Sequence, residues 1–385
     1  MTAQGTVDGR LVRGGTSRGL FVTPDALPVD LDDERMDHLA LELFGSPDPI
    51  QVDGIGGSHS HTSKLMIVDI SDRDGIDIDY TFGQVAIERP VVDWGGNCGN
   101  LTSAVGSVAM LEGLVEPTAP STDLTLYNTN TDTVVEQSVP VREGEPAIAG
   151  DYHIDGVAGT GARIDSRFLD PAGGVLGSLF PTGNPVDTVT ADGEEFEISL
   201  VDVTNPCVFV RAADLNIEGT ELPDELSAEP GLLERFEAIR GAVCEKIGRV
   251  EQAAAAADES PTVPFIAAVG PPATFEQSTG GMVHGDDIDL TARIITTQTP
   301  HHAYAMTGAM CLGAAARLPG TIPNEVARSG GSRVTIGHPK GTISIEAEID
   351  AAGPVVESVT VGRTMRPIAD GTFYYRREGE LANLE

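Results

Sequence analysis

Apolar and polar residues alternate over most of the chain in short segments that end at Gly, Pro or Asp turns. A two-residue period of this kind is typical of half-buried strands. Eleven such segments stand out, at residues 11–22, 64–71, 77–88, 123–130, 132–141, 195–204, 207–215, 292–298, 333–339, 341–350 and 355–364. The pattern therefore predicts a protein built mainly from short strands and tight turns.

Four segments have a helical pattern instead. Residues 32–45 and 230–257 are amphipathic and are expected to lie on surfaces. Residues 98–112 and 300–317 are small or apolar around the whole circumference after their first turn, yet too short to cross a membrane. A helix of this kind belongs inside a protein, so we expect two buried helices.

The two buried helices lie about 200 residues apart, one in each half of the chain. This spacing predicts an α/β (α+β) fold of two pseudo-symmetric domains, each a curved sheet or barrel around a central helix. A segment rich in Gly, Pro and Asp near residue 185 divides them into domains 1–185 and 186–385, with a return of the last strands to the first domain as an alternative. A cleft between equivalent domains is the usual place for a small-molecule site.

The charge composition limits what this fold can bind. Lys and Arg total 24 against 59 Asp and Glu, a net charge of −35, and the lysines are only Lys64, Lys246 and Lys340. A chain this acidic repels nucleic acid and anionic membranes. Acid excess with little lysine is typical of a halophilic protein, because concentrated salt screens self-repulsion. The alternative is an unusually acidic surface in ordinary salt.

Targeting and cysteine patterns give a cytoplasmic prediction. The longest apolar runs are far shorter than the ~20 residues of a membrane span, and the N-terminus does not resemble a signal peptide. The four cysteines, Cys98, Cys207, Cys244 and Cys311, are scattered without a CxxC pair. They therefore predict neither a zinc knuckle nor a disulfide framework.

Cys98 lies in the sharpest motif, GGNCGN at residues 95–100, at the start of the first buried helix. The glycines let the backbone approach a ligand, and a helix N-terminus favours a thiolate and any nearby carboxylate. We interpret Cys98 as a proton donor or acceptor; a small buried cysteine beside a capping loop is the alternative.

Lys64 stands where the polar loop at residues 53–63 enters an apolar strand. Partial burial there would make it a base, or a cation that holds a carboxylate. The alternative is an edge-strand lysine that blocks strand pairing. His59 and His61 could share one strand face, but with no third ligand nearby no metal site is predicted.

The loop RGGTSRG at residues 13–19 offers backbone N–H groups, the hydroxyls of Thr16 and Ser17, and the guanidinium groups of Arg13 and Arg18. This combination indicates an anion site. A turn with solvated arginines is the alternative. Neither GxxxxGK[ST] nor GxGxxG is present, so the loop does not indicate nucleotide binding.

The second buried helix has a histidine pair at its predicted start. Thr299 is a natural N-cap and Pro300 suits the first helical position, which would place His301 and His302 in the first turn. One of them could contact an anion at that helix end; a capping or core histidine is the alternative.

Seven motifs, in order along most of the chain, resemble those of the PrpF-like isomerases, which are relatives of diaminopimelate epimerase. They are Arg13–Gly19, the segment from Gly56 to Lys64, Gly96–Asn100, Pro181–Asn184, Asn205–Val210, Thr299–Gly308 and His338–Gly341. The resemblance implies the diaminopimelate-epimerase-like fold. It also implies a cofactor-independent isomerase that moves a proton or double bond in an unsaturated di- or tricarboxylate such as 2-methylaconitate, 4-oxalomesaconate or methylitaconate.

The resemblance places the family's catalytic lysine and cysteine on Lys64 and Cys98, and its glycine-loop serine on Ser17. Arg18 stands where a lysine is expected, and the pair at residues 301–302 is His-His where His-Arg is expected, which leaves the exact substrate open. The second helix lacks a thiol at the equivalent point, which argues against a two-cysteine racemase.

The sequence thus predicts an isomerase with Lys64 and Cys98 as acid and base and Asp93 tuning one of them. The predicted substrate-binding residues are Arg13, Thr16, Ser17, Arg18, Asn97, Gly99, Asn100, His301 and His302. No cofactor or metal is expected, and the expected partners are a polycarboxylate and, in a homodimer, a second copy of the chain. The alternatives are a non-catalytic accessory protein for an aconitase-type dehydratase, or an amino-acid racemase.

Overall fold

The computed structural model describes residues 4–328, 330–350 and 353–382. The chain folds into two compact units, Met1–Ser166 with Gly362–Glu385, and Arg167–Val361. The segment near residue 185, where the sequence places the domain boundary, lies inside the second unit. Asp202 holds the chain just before this segment, because its Oδ2 accepts the backbone N–H groups of Val175 and Leu176 at 3.1 and 2.5 Å.

Strands make up most of the regular structure. In chain order they are β1 (Gln4–Gly14), β2 (Ser17–Val22), β3 (Lys64–Ile70), β4 (Ile78–Val85), β5 (Val92–Asp93), β6 (Ser121–Asn128), β7 (Thr133–Arg142), β8 (Glu145–Pro146), β9 (Tyr152–His153), β10 (Thr160–Gly161), β11 (Ile164–Leu169), β12 (Asp187–Ala191), β13 (Glu194–Val201), β14 (Cys207–Arg211), β15 (Phe265–Gly270), β16 (Phe275–Glu276), β17 (Met282–Val283), β18 (Leu290–Thr296), β19 (Thr299–Pro300), β20 (Arg333–His338), β21 (Gly341–Asp350), β22 (Val355–Arg363) and β23 (Met365–Arg376).

The helices are few and short. They are α1 (Arg35–Phe44), α2 (Gly99–Leu111), α3 (Pro223–Ala228), α4 (Leu232–Lys246), α5 (Ala256–Glu259), α6 (Met306–Ala315) and α7 (Ile322–Val326). In the described ranges none of these helices has the length and apolar character that crossing a membrane requires.

Both units repeat one order of strand pairing. In the first unit β1 is antiparallel to β2, β2 parallel to β3, β3 antiparallel to β4, β4 parallel to β6, and β6 antiparallel to β7. In the second unit β13, β14, β15, β18, β20 and β21 pair in the same sequence of directions. The predicted pseudo-symmetric α/β fold is confirmed.

Each unit contains one of the apolar helices as its core element. Helix α2 is buried at every position from Gly99 to Met110 and contacts β1, β2 and β3. Helix α6 buries most of its length and contacts β14, β20 and β21. Small side chains allow this, because a helix enclosed by a sheet must let strands approach it closely.

The start of α6 corrects one prediction. The helix expected from residue 300 begins only at Met306, and Thr299 is not its N-cap. Thr299 and the following proline pair back onto β18 through a two-residue turn, in which Thr297 and Gln298 both have positive φ. Such a turn matches the twist of a hairpin. His301 and His302 therefore lie in the loop before α6 and not in its first turn.

Two further differences come from local backbone chemistry. The amphipathic helix expected over 230–257 ends at Lys246, because Gly248 adopts a left-handed φ of 70°. Strand β23 has no counterpart among the eleven predicted segments, because Pro367 and Gly371 interrupt its pattern. It nevertheless pairs antiparallel with β1 along the whole strand, from Gln4 opposite Arg376 to Gly14 opposite Met365.

Candidate functional site

The glycine loop of the first unit is a tight hairpin between β1 and β2. Gly14 pairs with Ser17, which leaves Gly15 and Thr16 as the turn. Gly15 has a positive φ of 50°, and a Cβ there would lie 2.1 Å from Oδ1 of Asn100. Glycine is therefore required at this position for both backbone and space.

Asn100, in the first turn of α2, fastens this loop. Its Oδ1 accepts the Thr16 N–H at 3.3 Å, and its Nδ2 donates to Thr16 Oγ1 at 3.2 Å. The same Oδ1 also accepts Nε of Arg363 at 3.3 Å. In the structure the side-chain amide of Asn100 is hydrogen-bonded to Thr16 and Arg363, and its predicted role in substrate binding stays a prediction.

Cys98 is the N-cap residue of α2, with Gly99 as the first helical residue, and no side chain caps the helix start. The thiol is 8% exposed, and its Sγ lies 3.9 Å from Ser17 Oγ. The unpaired N–H groups of a helix start favour negative charge nearby. Cys98 thus lies where a bound carboxylate is stabilised.

Lys64 begins β3 and is also 8% exposed. Its Nζ donates to Oε1 of Gln84 at 2.5 Å and lies 5.0 Å from the ring centroid of Phe82. Gln84 is held in turn, because its Nε2 donates to the carbonyls of Ser60 and Ser63. No carboxylate in the described ranges pairs with Lys64, so its charge is available to a bound anion.

Three arginines form a row across neighbouring strands, with Arg13 of β1 opposite Arg18 of β2 on one side and Arg366 of β23 on the other. Residues opposite one another in a sheet share a face. None of the three forms an ion pair with an acidic residue that the structure describes. We name Arg13, Arg18 and Arg366 the arginine row.

The three arginines of the row differ in how many hydrogen bonds their guanidinium groups form with the protein. Arg13 forms three hydrogen bonds with the protein. It donates to the carbonyls of Gly15 and Thr364 at 2.8 and 2.9 Å and to Oγ1 of Thr364 at 3.0 Å. Burial, and then the charge of Arg366, lower the pKa of Arg13. Arg18 keeps a buried Nε without a hydrogen-bond partner. An unpaired buried donor is costly unless a ligand satisfies it.

A cavity of about 370 Å³ opens over the arginine row. Hydroxyl groups and apolar side chains complete its lining, together with the loop 156–161: Thr16, Ser17, Thr62, Ile148, Ile154, Thr364, Met365 and Ile368. Neither Lys64 nor Cys98 lines this cavity. The thiol of Cys98 instead contacts Ser17, which does line the cavity.

The other predicted residues of the first unit support the backbone. Nδ2 of Asn97 donates to the Tyr80 hydroxyl at 3.1 Å, and its Oδ1 accepts from Thr102 at 3.0 Å. Burial raises the pKa of Tyr80 to about 12, so its hydroxyl is neutral. Asp93 is exposed, and its Oδ1 accepts the N–H of Gly95 at 2.8 Å. Asp93 thus stabilises the turn at Gly95, which precedes Cys98.

The histidine pair belongs to the second unit. Nδ1 of His301 accepts the N–H of Ala303 at 3.0 Å, and His302 is exposed. His301 thereby shapes the loop that leads into α6. Their predicted role in substrate binding stays a prediction.

Sequence reasoning missed two arginines near the C-terminus. Arg366 joins the arginine row, and Arg363, which is 6% exposed, bonds Asn100. Burial lowers the pKa of Arg363 to about 10. Neither lies in a recognisable motif. Arg363 ends β22 and Arg366 lies on β23, and the pairing of β23 with β1 brings this part of the chain to the loop, about 350 residues away along the chain.

Comparison with known proteins assigns this site to a family. The model described as PrpF protein matches residues 4–376. The chain belongs to the PrpF family. A 3-methylitaconate isomerase of Eubacterium barkeri is 41% identical over 370 residues, which cover 95% of this chain and 96% of that protein. A 2-methyl-aconitate isomerase of Shewanella oneidensis is 38% identical over 351 residues, 88% of each chain.

A third PrpF-type relative, a (4E)-oxalomesaconate Delta-isomerase of Novosphingobium sp. (strain KA1), is 36% identical over 371 residues, covering 94% of this chain and 96% of that protein. The crystal structure of a methylitaconate-delta-isomerase superposes with a TM-score of 0.85 at 40% identity, covering 98% of this chain and 97% of that one. This PrpF chain is therefore an isomerase, and the non-catalytic alternative is set aside.

More distant structures share only the fold. A hydroxyproline epimerase from Agrobacterium vitis is 11% identical with a TM-score of 0.55, covering 99% of this chain and 94% of that one. This agrees with the diaminopimelate-epimerase-like fold that the motifs implied. At this identity the likeness carries no argument for racemase activity.

Proposed function

We propose that the protein isomerises an unsaturated di- or tricarboxylate of the methylitaconate, 2-methylaconitate or oxalomesaconate type by moving a proton, without a cofactor. The observation that carries the proposal is the arginine row, which has no acidic partner among the described residues although the chain has a net charge of −35. Uncompensated cations at a cavity in such a protein favour an anionic ligand. The three isomerase relatives act, by their names, on acids of this class.

In the proposed mechanism the arginine row and the hydroxyls of Thr16 and Ser17 bind the substrate carboxylates. Loss of a proton beside the double bond produces a dienolate, whose negative charge extends onto a carboxylate. Fixed positive groups and the start of α2 stabilise this charge as it develops. A proton then returns to a different carbon, which conserves electrons and needs no redox cofactor.

Lys64 and Cys98 are the proposed acid and base. Both are nearly buried and begin elements next to the glycine loop, and the thiol contacts Ser17 at the cavity wall. The reacting carbons would then lie at the Ser17 end of the cavity. Either group can be the first base, because an amine and a thiol can both exchange a proton, Cys98 contacts Ser17, and Lys64 begins the strand that pairs with β2.

Deuterium incorporation tests the proton transfer. Methylitaconate, 2-methylaconitate and oxalomesaconate are each converted partially in D₂O and followed by proton NMR. We expect deuterium at the carbon that is reprotonated in the product. Turnover without deuterium in the product, together with no primary isotope effect for a substrate deuterated at the migrating position, would contradict the proposal.

Replacement of the two proposed groups tests their roles. Lys64→Met and Cys98→Ala should each lower kcat by about 100-fold or more, the usual effect of removing a positioned acid or base. Cys244→Ala is the control, because Cys244 is buried beside Val250 and Ala256 in the second unit. Circular dichroism confirms that each variant is folded. A Cys98→Ala enzyme within a few-fold of the parent would remove the thiol from the mechanism.

A further inference from the structure

Arg366 occupies the outer end of the arginine row. Strand β23 lies beyond β1, β1 is next to β2, and β2 is next to β3, which carries Lys64. Neighbouring strands are about 4.8 Å apart, so the row spans about 10 Å between its outer backbones and Arg366 lies farthest from Lys64. The row is therefore long enough to contact more than one carboxylate.

Arg366, at the outer end of the row, forms no side-chain hydrogen bond with the residues that the structure describes. The guanidinium of Arg18, at the other end, donates only through Nη2, to the carbonyl of Ile55 at 3.4 Å. Arg13 is hydrogen-bonded to Gly15 and Thr364. Arg18 is cradled by the loop before β3, since a Cβ on Gly57 would lie 2.7 Å from its Nη2, and its buried Nε is unpaired. Arg366 is exposed and lines the cavity without an acidic partner among the described residues.

The cavity wall beside Arg366 is apolar. Ile368 is 41% exposed and Ile148 is 43% exposed, and both line the cavity. Apolar side chains near a cation accommodate a hydrocarbon skeleton that carries a carboxylate. This end of the cavity thus has room and chemistry for a part of the substrate that does not react.

We propose that Arg366 binds an additional carboxylate, remote from the reacting carbons, and so makes this enzyme selective for tricarboxylates over dicarboxylates. The inference rests on the proposed function and names the substrate class within it. A dicarboxylate held at Arg18 and the hydroxyls of Thr16 and Ser17 leaves Arg366 unused. A tricarboxylate engages both ends of the row.

Kinetics with Arg366→Gln test the selectivity. For 2-methylaconitate, a tricarboxylate, we expect kcat/KM to fall by about 10- to 100-fold, the usual effect of losing a charge-assisted hydrogen bond. For methylitaconate, a dicarboxylate, it should stay within about 3-fold, because no carboxylate reaches Arg366. Arg366→Lys should recover part of the loss through its charge. Arg142→Gln is the control, since Arg142 is exposed on β7 and does not line the cavity.

Equal loss with both substrates, or no loss with the tricarboxylate, would overturn the proposal. A binding measurement distinguishes failure of the proposed role of Arg366 from failure of the proposed function. Propane-1,2,3-tricarboxylate and glutarate have the same carbon spine and differ by one carboxylate. By calorimetry, the parent should bind the tricarboxylate more tightly, and Arg366→Gln should lose that preference whether or not either acid substrate turns over. An unchanged ratio of the two Kd values in Arg366→Gln would reject the role of Arg366.

Discussion

Asn100 and Arg363 show how a single buried contact organises the site at the scale of residues. The guanidinium of Arg363 is nearly buried, forms no ion pair with a described residue, and donates to the same amide oxygen that holds Thr16. A buried cation without a counter-charge is costly. Its position behind the glycine loop adds positive potential where the proposed substrate is an anion.

Tyr80 gives a prediction with a defined pH dependence. Burial raises its pKa from 10 to about 12, so above pH 10 the unfolded chain releases this proton before the folded chain does. The free energy of unfolding should therefore fall by about 1.4 kcal/mol per pH unit from pH 10 towards 12 through this group. In Tyr80→Phe that contribution should be absent.

The Tyr80→Phe variant should also be less stable at neutral pH, by about 1–2 kcal/mol, because Asn97 and Thr102 lose the hydroxyl they contact. Urea unfolding of parent and variant at pH 8 and at several values above 10 measures both effects. Identical slopes of stability against pH in the two proteins would contradict the buried, neutral phenol.

At the scale of elements, a side chain of the sheet forms hydrogen bonds with the middle of helix α2. Oε1 of Gln137 accepts the N–H of Gly106 at 2.8 Å, while its Nε2 donates to the carbonyl of Thr102 at 3.0 Å. The N–H of residue i and the carbonyl of residue i−4 are the two groups that bond each other in an α-helix, and Gly106 and Thr102 have this spacing. Gln137 thus ties β7 to the middle of the buried helix.

Gly106→Ala should destabilise the protein although alanine is the better helix former. An added Cβ would lie 2.5 Å from Oε1 of Gln137, whose amide is fixed by its own hydrogen bonds. We expect a loss of about 1–3 kcal/mol, as for overpacking of a core. Gly96→Ala is the matched control, because a Cβ at Gly96 meets nothing within 4 Å. Urea unfolding compares them, and a stabilised Gly106→Ala protein would refute this role of Gln137.

At the scale of the whole molecule the net charge of −35 should make stability depend on salt. The Debye length is about 10 Å at 0.1 M salt and about 3 Å at 1 M, so carboxylate repulsion is strong only in the dilute condition. We expect the Tm to rise steadily from 0.1 to 2 M KCl. Sucrose at matched osmolality is the control for non-ionic stabilisation. A Tm that does not change with KCl would contradict a halophilic adaptation.

Most strands, the buried helix α2 and the family could be predicted from the sequence. All eleven alternating segments contain strands, and the helix at residues 98–112 is buried as its composition required, because period and small-residue content report burial directly. The seven motifs likewise indicated the PrpF family, which the comparisons confirm. These features depend on residues that are close together in the chain, so they can be recognised in the sequence.

What surrounds those motifs depends on tertiary structure. The sequence marked Arg13 and Arg18, but Arg366 joins them only because β23, whose Pro and Gly hide its strand pattern, pairs with β1. The start of α6 likewise depended on a hairpin that draws Thr299 and Pro300 into the sheet. Contacts between residues far apart in the chain leave no local pattern, because their free energy comes from the pairing and packing of whole elements.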